Sequence, residues 1–408
     1  MTEQDPSNKG VSPWLSSEGE GGQGSVPAPS FSDLASGSKA MPPEAPTAVS
    51  TDAAEAPGGV TAGSTSPAAH GALRVLVVGG SMAGSCAALA LGRLGCQVQV
   101  FERSHELKSQ GAGLVIQPDM AVFLQRAFRH KVPPGIYHSD SKVAEVSCSA
   151  QGVSVTLESG ESHQGDLLVG ADGPGSIVRQ TFCPGVTSQY QGYVAWRGVA
   201  LEADTPARVL DFLQNKFTVY QGDKFHFLCY LIPGEQGEVT AGQRRVNWVW
   251  YWNTSQEEAQ ELMRDRTGQQ HGYSVPRGLL RHEVAQERKK MARRVLPTVL
   301  SELVDSTGDI FLQAIHDMLA PSLAFQGKVC IMGDAGCILR PHTAAGTTKA
   351  AVNAATLASC LEANAFDLAK ALSDYNESQL ELAQYLVEVG VRIGTSSQFP
   401  DRVPHGEE

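Results

Sequence analysis

The sequence predicts an α/β (α+β) architecture: a parallel β-α-β unit beginning near residue 73, a mixed or antiparallel sheet after it, and a long helix near the C-terminal end. Three observations carry this. A near-continuous apolar run, Leu73-Arg74-Val75-Leu76-Val77-Val78, has the composition of a buried parallel strand and leads straight into Gly79-Gly80-Ser81-Met82-Ala83-Gly84. Val246, Trp248, Trp250 and Trp252 alternate with Asn247, Val249 and Tyr251, the period of a strand. Leu372, Tyr375, Leu382, Leu386 and Val389 recur at helical spacing across roughly 366–390.

Taken in order, residues 1–71 are a different kind of polymer from the rest. Ser, Gly, Pro, Ala and Glu dominate, and residues 1–70 hold eight acids, two lysines and no arginine. Such a segment buries too little apolar surface to offset its conformational entropy, so it is expected to be disordered, and it resembles neither a transit peptide nor a signal peptide. Beyond the glycine-rich turn, Ala87, Ala88, Ala90, Leu91 and Leu94 fall at helical spacing and Gly95 ends the helix. Val98-Gln99-Val100-Phe101 forms the second strand and stops at Glu102-Arg103. Further strands are expected at Val153–Leu157 and Asp166–Gly170, an antiparallel sheet from Gly192 to Asn253, and a charged amphipathic helix over about 278–305. Val329-Cys330-Ile331-Met332 returns to buried-strand composition before a second glycine-rich turn.

Composition narrows the function. The chain of 408 residues is long enough for two packed domains, and 42% hydrophobic with 18% charged residues is ordinary for a globular protein. A net charge of −11 argues against nucleic acid as a partner, since phosphate backbones need a basic surface. No apolar stretch approaches the ~20 residues of a membrane-spanning helix. The eight cysteines are scattered without C-x-x-C spacing, so no metal site is expected and an intracellular, cytoplasmic setting fits.

The first turn carries chemistry. A dinucleotide's pyrophosphate sits at the N-terminus of the following helix, where free N–H groups and the helix dipole favour negative charge. Gly79 supplies the tight turn and Gly84 the close helix–strand packing, while Ser81 stands where a middle glycine is usual. Glu102, with Arg103 beside it, ends the second strand at the place for a carboxylate that accepts ribose hydroxyl bonds. This much leaves NAD and FAD open. Gly333-Asp334 puts another carboxylate at a strand end, Pro341 fixes the loop after it, and Gly346-Thr347-Thr348 opens a helix rich in small residues.

Two further segments resolve the choice by resemblance. Val169-Gly170-Ala171-Asp172-Gly173-Pro174-Gly175-Ser176-Ile177-Val178-Arg179 and Ile331-Met332-Gly333-Asp334-Ala335-Gly336, continuing through Arg340-Pro341-His342 to Gly346, resemble motifs of the para-hydroxybenzoate-hydroxylase-like FAD-dependent monooxygenases. Gly111-Ala112-Gly113-Leu114-Val115-Ile116-Gln117-Pro118 and Gly192-Tyr193-Val194-Ala195-Trp196-Arg197-Gly198 are similar to the 2,6-dihydroxypyridine 3-monooxygenase branch. The resemblance implies a Rossmann-like FAD-binding domain (72–189 and 306–364), a substrate-binding sheet domain (190–305) and a C-terminal helix and tail (365–408). It implies that Asp334 binds the ribityl chain and that Asp172 serves FAD and the passing nicotinamide. It also implies a cycle in which NADH or NADPH reduces FAD, O2 adds to form a flavin C4a-hydroperoxide, and an electron-rich aromatic or hydroxypyridine-like ring takes one oxygen atom. A small aromatic substrate and a possible homodimer complete that expectation.

One departure stands against the family pattern. The stretch between Gly79 and Asp172 is several tens of residues short, with the break near Gln125-Arg126, where the helix holding Met120 and Phe123 runs directly into Ala127-Phe128-Arg129-His130. An incomplete substrate pocket, and hence an FAD-binding pseudoenzyme or truncated isoform, is the alternative reading. The general base is unassigned: His226, Tyr251 and His342 are candidates that can equally be packed residues. Trp196, Trp248, Trp250 and Trp252 suit either an aromatic pocket or the cover of a sheet.

Overall fold

The protein is described from a computed structural model over residues 72–105, 132–133 and 135–399. The expectations for the tail at 1–71, for Gly111–Pro118 and for the junction near Gln125 lie outside these residues.

The chain begins as predicted, with β1 (Arg74–Val78), helix α1 (Met82–Arg93) and β2 (Gln97–Phe101). Leu94 closes α1 and Gly95, at φ +80°, lets the backbone reverse. Beyond β3 (Tyr137–His138), β4 (Val143–Ser149), β5 (Gly152–Leu157) and β6 (Ser162–Gly165) form a small antiparallel sheet. β7 (Leu167–Gly170), buried throughout, then returns beside β1 and runs to α2 (Ile177–Phe182). The central region comprises β8 (Gln189–Leu201), α3 (Ala207–Leu213), β9 (Thr218–Gly222), β10 (Phe225–Ile232), β11 (Arg245–Asn253), α4 (Gln256–Leu262) and β12 (Ser274–Val275). Next come α5 (His282–Val295), α6 (Thr298–Ser306), β13 (Ile310–Leu319), β14 (Ala324–Phe325), β15 (Val329–Ile331) and β16 (Cys337–Ile338). Helices α7 (Gly346–Ala363) and α8 (Leu368–Gln398) complete the described chain.

Two large sheets organise these elements. The first has the order β14-β15-β7-β1-β2-β3, parallel from β15 to β3, with β14 antiparallel at the edge. Its parallel strands are apolar on both faces because α1 and α7 cover one side and other elements the opposite side. The second sheet is antiparallel with the order β12-β13-β8-β11-β10-β9, and β16 pairs with β13. One face packs under α3 to α6 around Trp196, Trp248 and Trp250. The other face carries Tyr193, Ala195, Leu228, Val249, Tyr251 and Ile315.

Several expectations change. The amphipathic stretch at 278–305 is two helices, because Pro297 lacks the N–H a continuous helix needs and instead sits just ahead of α6. The antiparallel region from 192 to 253 is interrupted by α3. β4, β6 and β13 were not anticipated, and β13 pairs with β8 although the expected sheet domain ends at 305. The C-terminal helix continues to Gln398. Its buried stripe runs through Ala371, Leu372, Tyr375, Gln379, Ala383, Gly390 and Gly394, leaving Leu382, Leu386 and Val389 half-buried.

Tyr375 fixes α8 to the first sheet: its ring is fully buried and its hydroxyl donates to the Ile331 carbonyl at 3.0 Å. Replacing Tyr375 with Phe keeps the packing and removes one buried hydrogen bond, so stability should fall by about 1 kcal/mol. Urea titration with an unchanged slope and a lowered midpoint is the expected result; an unmoved midpoint contradicts it.

Candidate active site

The carboxyl ends of β1, β7 and β15 bring three turns together. Gly79 sits at φ +95°, and a Cβ there would stand 2.4 Å from the Ala171 carbonyl oxygen and 2.8 Å from the Asp172 Cα. A Cβ on Gly84 would fall 1.9 Å from the Gly79 carbonyl oxygen, so α1 approaches the turn only because this residue has no side chain. Glu102 secures the turn, accepting from the Gly80 amide at 2.8 Å and the Ser104 amide at 2.9 Å. Arg103 is exposed beside it. Ser81 precedes α1, exposed and making no side-chain capping bond, and the first turn of α1 holds no acid. The result is an α1 N-terminus open to an anion.

The Asp172 carboxylate accepts from the Ile177 amide at 2.7 Å and so steadies the start of α2, while its Oδ1 is buried without a partner. Burial raises the Asp172 pKa against the lowering effect of these bonds. Arg179, quoted in the sequence motif but given no role there, is buried and donates to the Ala335 carbonyl at 2.8 Å and the Pro174 carbonyl at 2.5 Å. It therefore ties the Asp172 segment to the Gly333 segment. Gly333, at φ +59°, lies so near α1 that a Cβ would meet the Ala83 Cβ at 2.9 Å.

Two side chains of α7, absent from the sequence-based candidates, grip the same turn. Asn353 Oδ1 accepts from the Gly333 amide at 3.0 Å, and its Nδ2 donates to Gln379 of α8 at 2.7 Å. Lys349 is buried; its ammonium donates to the carbonyls of Gly333, at 3.0 Å, and Cys337, and stands 3.5 Å from the Asp334 carboxylate. Asp334 itself is 41% exposed at the side chain. Two polar residues four apart on a helix otherwise rich in alanine were the available signal. Thr347 Oγ1 is buried without a partner in the first turn of α7, which Gly346 opens after the short helical turn Pro341–Thr343.

That turn connects to the second sheet. His342 Nε2 lies 3.0 Å from the Tyr193 hydroxyl, and its ring is 4.7 Å from Tyr251 and 5.1 Å from His226. The three base candidates thus meet at one place. Burial drives His342 down to about 3, helped by His226 and Arg340, and burial alone drives His226 down to about 4. Both imidazoles are neutral at pH 7. The end of α8 closes over them: Ser397 Oγ and Gln398 Nε2 reach His226 Nδ1, the latter at 3.0 Å, and Phe399 packs edge-on against Tyr193. Gly390 and Gly394 let α8 approach Arg340, His342 and Thr343. Arg340 is held by Asp317 at 2.8 Å and Gln191 at 2.6 Å.

The tryptophans belong elsewhere, which corrects the pocket reading. Trp196, Trp248 and Trp250 are fully buried on the opposite face, where the Arg288 guanidinium lies 4.1 Å from the Trp196 ring centre and 5.0 Å from that of Trp250. Trp252 is half-buried, with its ring centre 5.2 Å from Arg288.

Comparison with known proteins follows this geometry. Residues 74–162 match a model described as pyridine nucleotide-disulphide oxidoreductase, and residues 190–317 one described as FAD binding domain-like. The 2,6-dihydroxypyridine 3-monooxygenase of Paenarthrobacter nicotinovorans is 29% identical over 380 residues, covering 82% of this chain and 92% of the relative. The chain is thus similar to a flavoprotein monooxygenase over most of its length. Among solved structures, 2,6-dihydroxypyridine-3-hydroxylase from Arthrobacter nicotinovorans superposes on this chain with a TM-score of 0.74 at 26% identity, covering 83% of this chain and 95% of that one. Klebsiella pneumoniae HpxO, complexed with FAD and uric acid, has the same fold, with a TM-score of 0.62 at 19% identity over 81% of this chain and 90% of that one. Among the described residues, no helix is long and apolar enough to cross a membrane.

The histidines make a pH prediction. In the unfolded chain both titrate near 6.5, and in the fold they resist protonation until about 4 and about 3. Below 6.5 the unfolded state binds more protons, so stability is full above that pH and is lost as pH falls through the folded values. Thermal unfolding from pH 7 to 4 should therefore show a steeper loss for the wild type than for His226→Gln. Equal slopes would contradict the buried, neutral assignment.

Proposed function

We propose that the chain binds FAD at this crevice and, with NADH or NADPH and O2, hydroxylates an electron-rich hydroxylated aromatic or N-heteroaromatic ring. The observation that carries the reading is the convergence of the Gly79, Asp172 and Gly333 turns around a single open helix N-terminus. The residues fit the cofactor: Gly79 and Gly84 let the turn and α1 pack closely behind an open helix N-terminus, and Asp172 Oδ1 and Thr347 Oγ1 are buried polar atoms lacking partners. The names of the relatives, hydroxylases of dihydroxypyridine among them, support the chemistry.

In this reading Gly79, Ser81 and Gly84 receive the pyrophosphate, and Glu102 with Arg103 meets the ribose. Asp172, Gly333 and Asp334 hold the sugar chain, while Pro341, Gly346 and Thr347 shape the loop beside the ring. When bound, FAD supplies the electron transfer from the nicotinamide and the activation of O2. The protein's own residues hold the substrate against the face formed by Tyr193, Tyr251 and Leu228 and exclude water from it. His342, held neutral by burial and next to Tyr193, is our candidate to hydrogen-bond and orient the substrate hydroxyl; its low pKa argues against a role as the general base. His226 takes a donor from Gln398 at Nδ1, which leaves Nε2 carrying the ring proton as a fixed hydrogen-bond donor. A cytoplasmic homodimer is part of the same reading, and light scattering of the purified protein tests the dimer.

The purified protein should be yellow, and Gly84→Val should lose the flavin. NAD(P)H oxidation with O2 uptake and a hydroxylated product should be found within a panel of hydroxypyridines and phenols. His342→Ala should lower kcat by about tenfold, the scale of one lost orienting hydrogen bond. A colourless wild type that takes up no FAD would sink the cofactor assignment. Bound FAD with no product across the panel would sink the hydroxylase and leave a flavin-binding pseudoenzyme.

A further inference from the structure

Lys349 is a buried ammonium, 2% exposed, whose contacts all lie on the turn from Gly333 to Cys337. One turn further along α7, Asn353 takes the Gly333 amide, so the backbone N–H and C=O of that residue are both engaged by residues spaced four apart on one helix. A buried lysine is costly unless it is paired and hydrogen-bonded, and here the neighbouring carboxylate is Asp334, whose side chain stays partly exposed. The charge thus lies inside the protein, and the carboxylate that faces outward is both oriented and neutralised from behind.

We propose that Lys349 is a positioning residue for the flavin: it locks the Gly333–Cys337 turn, presents Asp334 to the sugar hydroxyls, and places a fixed positive charge in the first turns of α7. This rests on the FAD reading above. Two consequences separate it from ordinary packing. Loss of the lysine unlocks the turn and leaves Asp334 without its counter-ion, which weakens FAD binding. It also removes a positive charge that, with the helix N-terminus, favours the anionic reduced ring over the neutral oxidised one. Asn353 grips the same residue without a charge, so its loss bears on affinity alone.

The test compares the wild type, Lys349→Met and Asn353→Leu, after circular dichroism of the FAD-free proteins verifies folding. Lys349→Gln, which keeps a donor for the carbonyls but loses the charge, replaces Lys349→Met if that variant does not fold. FAD affinity is measured by flavin fluorescence titration and the two-electron midpoint potential by equilibration with a reference dye. Lys349→Met should bind FAD about tenfold or more weakly, the scale of a lost hydrogen bond to a charged group, and its bound flavin should have a more negative potential. Asn353→Leu should weaken binding while leaving the potential where it was. A Lys349 variant that matches the wild type in both measurements overturns the proposal while the FAD reading stands. A wild type that binds no FAD overturns both.

Discussion

The fit between α1 and the end of β1 is the constraint on which the rest of the site depends. With a Cβ on Gly84 placed 1.9 Å from the Gly79 carbonyl, the helix could not begin where it does. With a Cβ on Gly79, the backbone of Ala171–Asp172 would have to retreat. Once α1 is seated, its first turn becomes the surface against which Gly333 packs, at the distance its own missing side chain allows. Three segments far apart in sequence are thereby brought to one helix N-terminus by backbone contact, before any polar side chain contributes.

Polar side chains then hold what the glycines permit. Arg179 joins the second segment to the third, and Asn353 links the third to α8 through Gln379. The Arg340–Asp317–Gln191 cluster joins the following loop to the second sheet. These groups are buried or part-buried and hydrogen-bonded to one another, so each is costly to break singly. The base candidates sit where this network meets the aromatic face of the sheet, and their neutrality follows from the same burial.

Much of this was legible in the sequence because glycine, aspartate and proline carry conformational demands that survive without a structure. The run Leu73–Val78, the turn after it and the carboxylate at 334 are legible that way, whereas Asp172 is picked out by the family resemblance alone. What escaped notice had no such signature. β13 is buried on both faces, so Phe311, Gln313 and Ile315 interleave with Ile310, Leu312 and Ala314 without the polar alternation that marks a strand. β4 is largely exposed and short of apolar residues. In α8 the buried stripe passes through Gln379, Gly390 and Gly394, which no hydrophobic period can reveal: the glycines are buried by close approach to a loop and Gln379 by its hydrogen bonds to α7. Lys349 was passed over because a lysine is ordinarily a surface residue.

The closing position of α8 also bears on how the molecule comes into being. The glycine-rich turn is made about 250 residues before its partner Gly333, which is gripped by Asn353, and Asn353 by Gln379. The aromatic face acquires its cover over His226 only with Ser397 and Gln398. During synthesis the nascent chain therefore carries half-built crevices and an uncovered apolar sheet until the final helix emerges. That interval is when this protein is most exposed to aggregation and most dependent on protection.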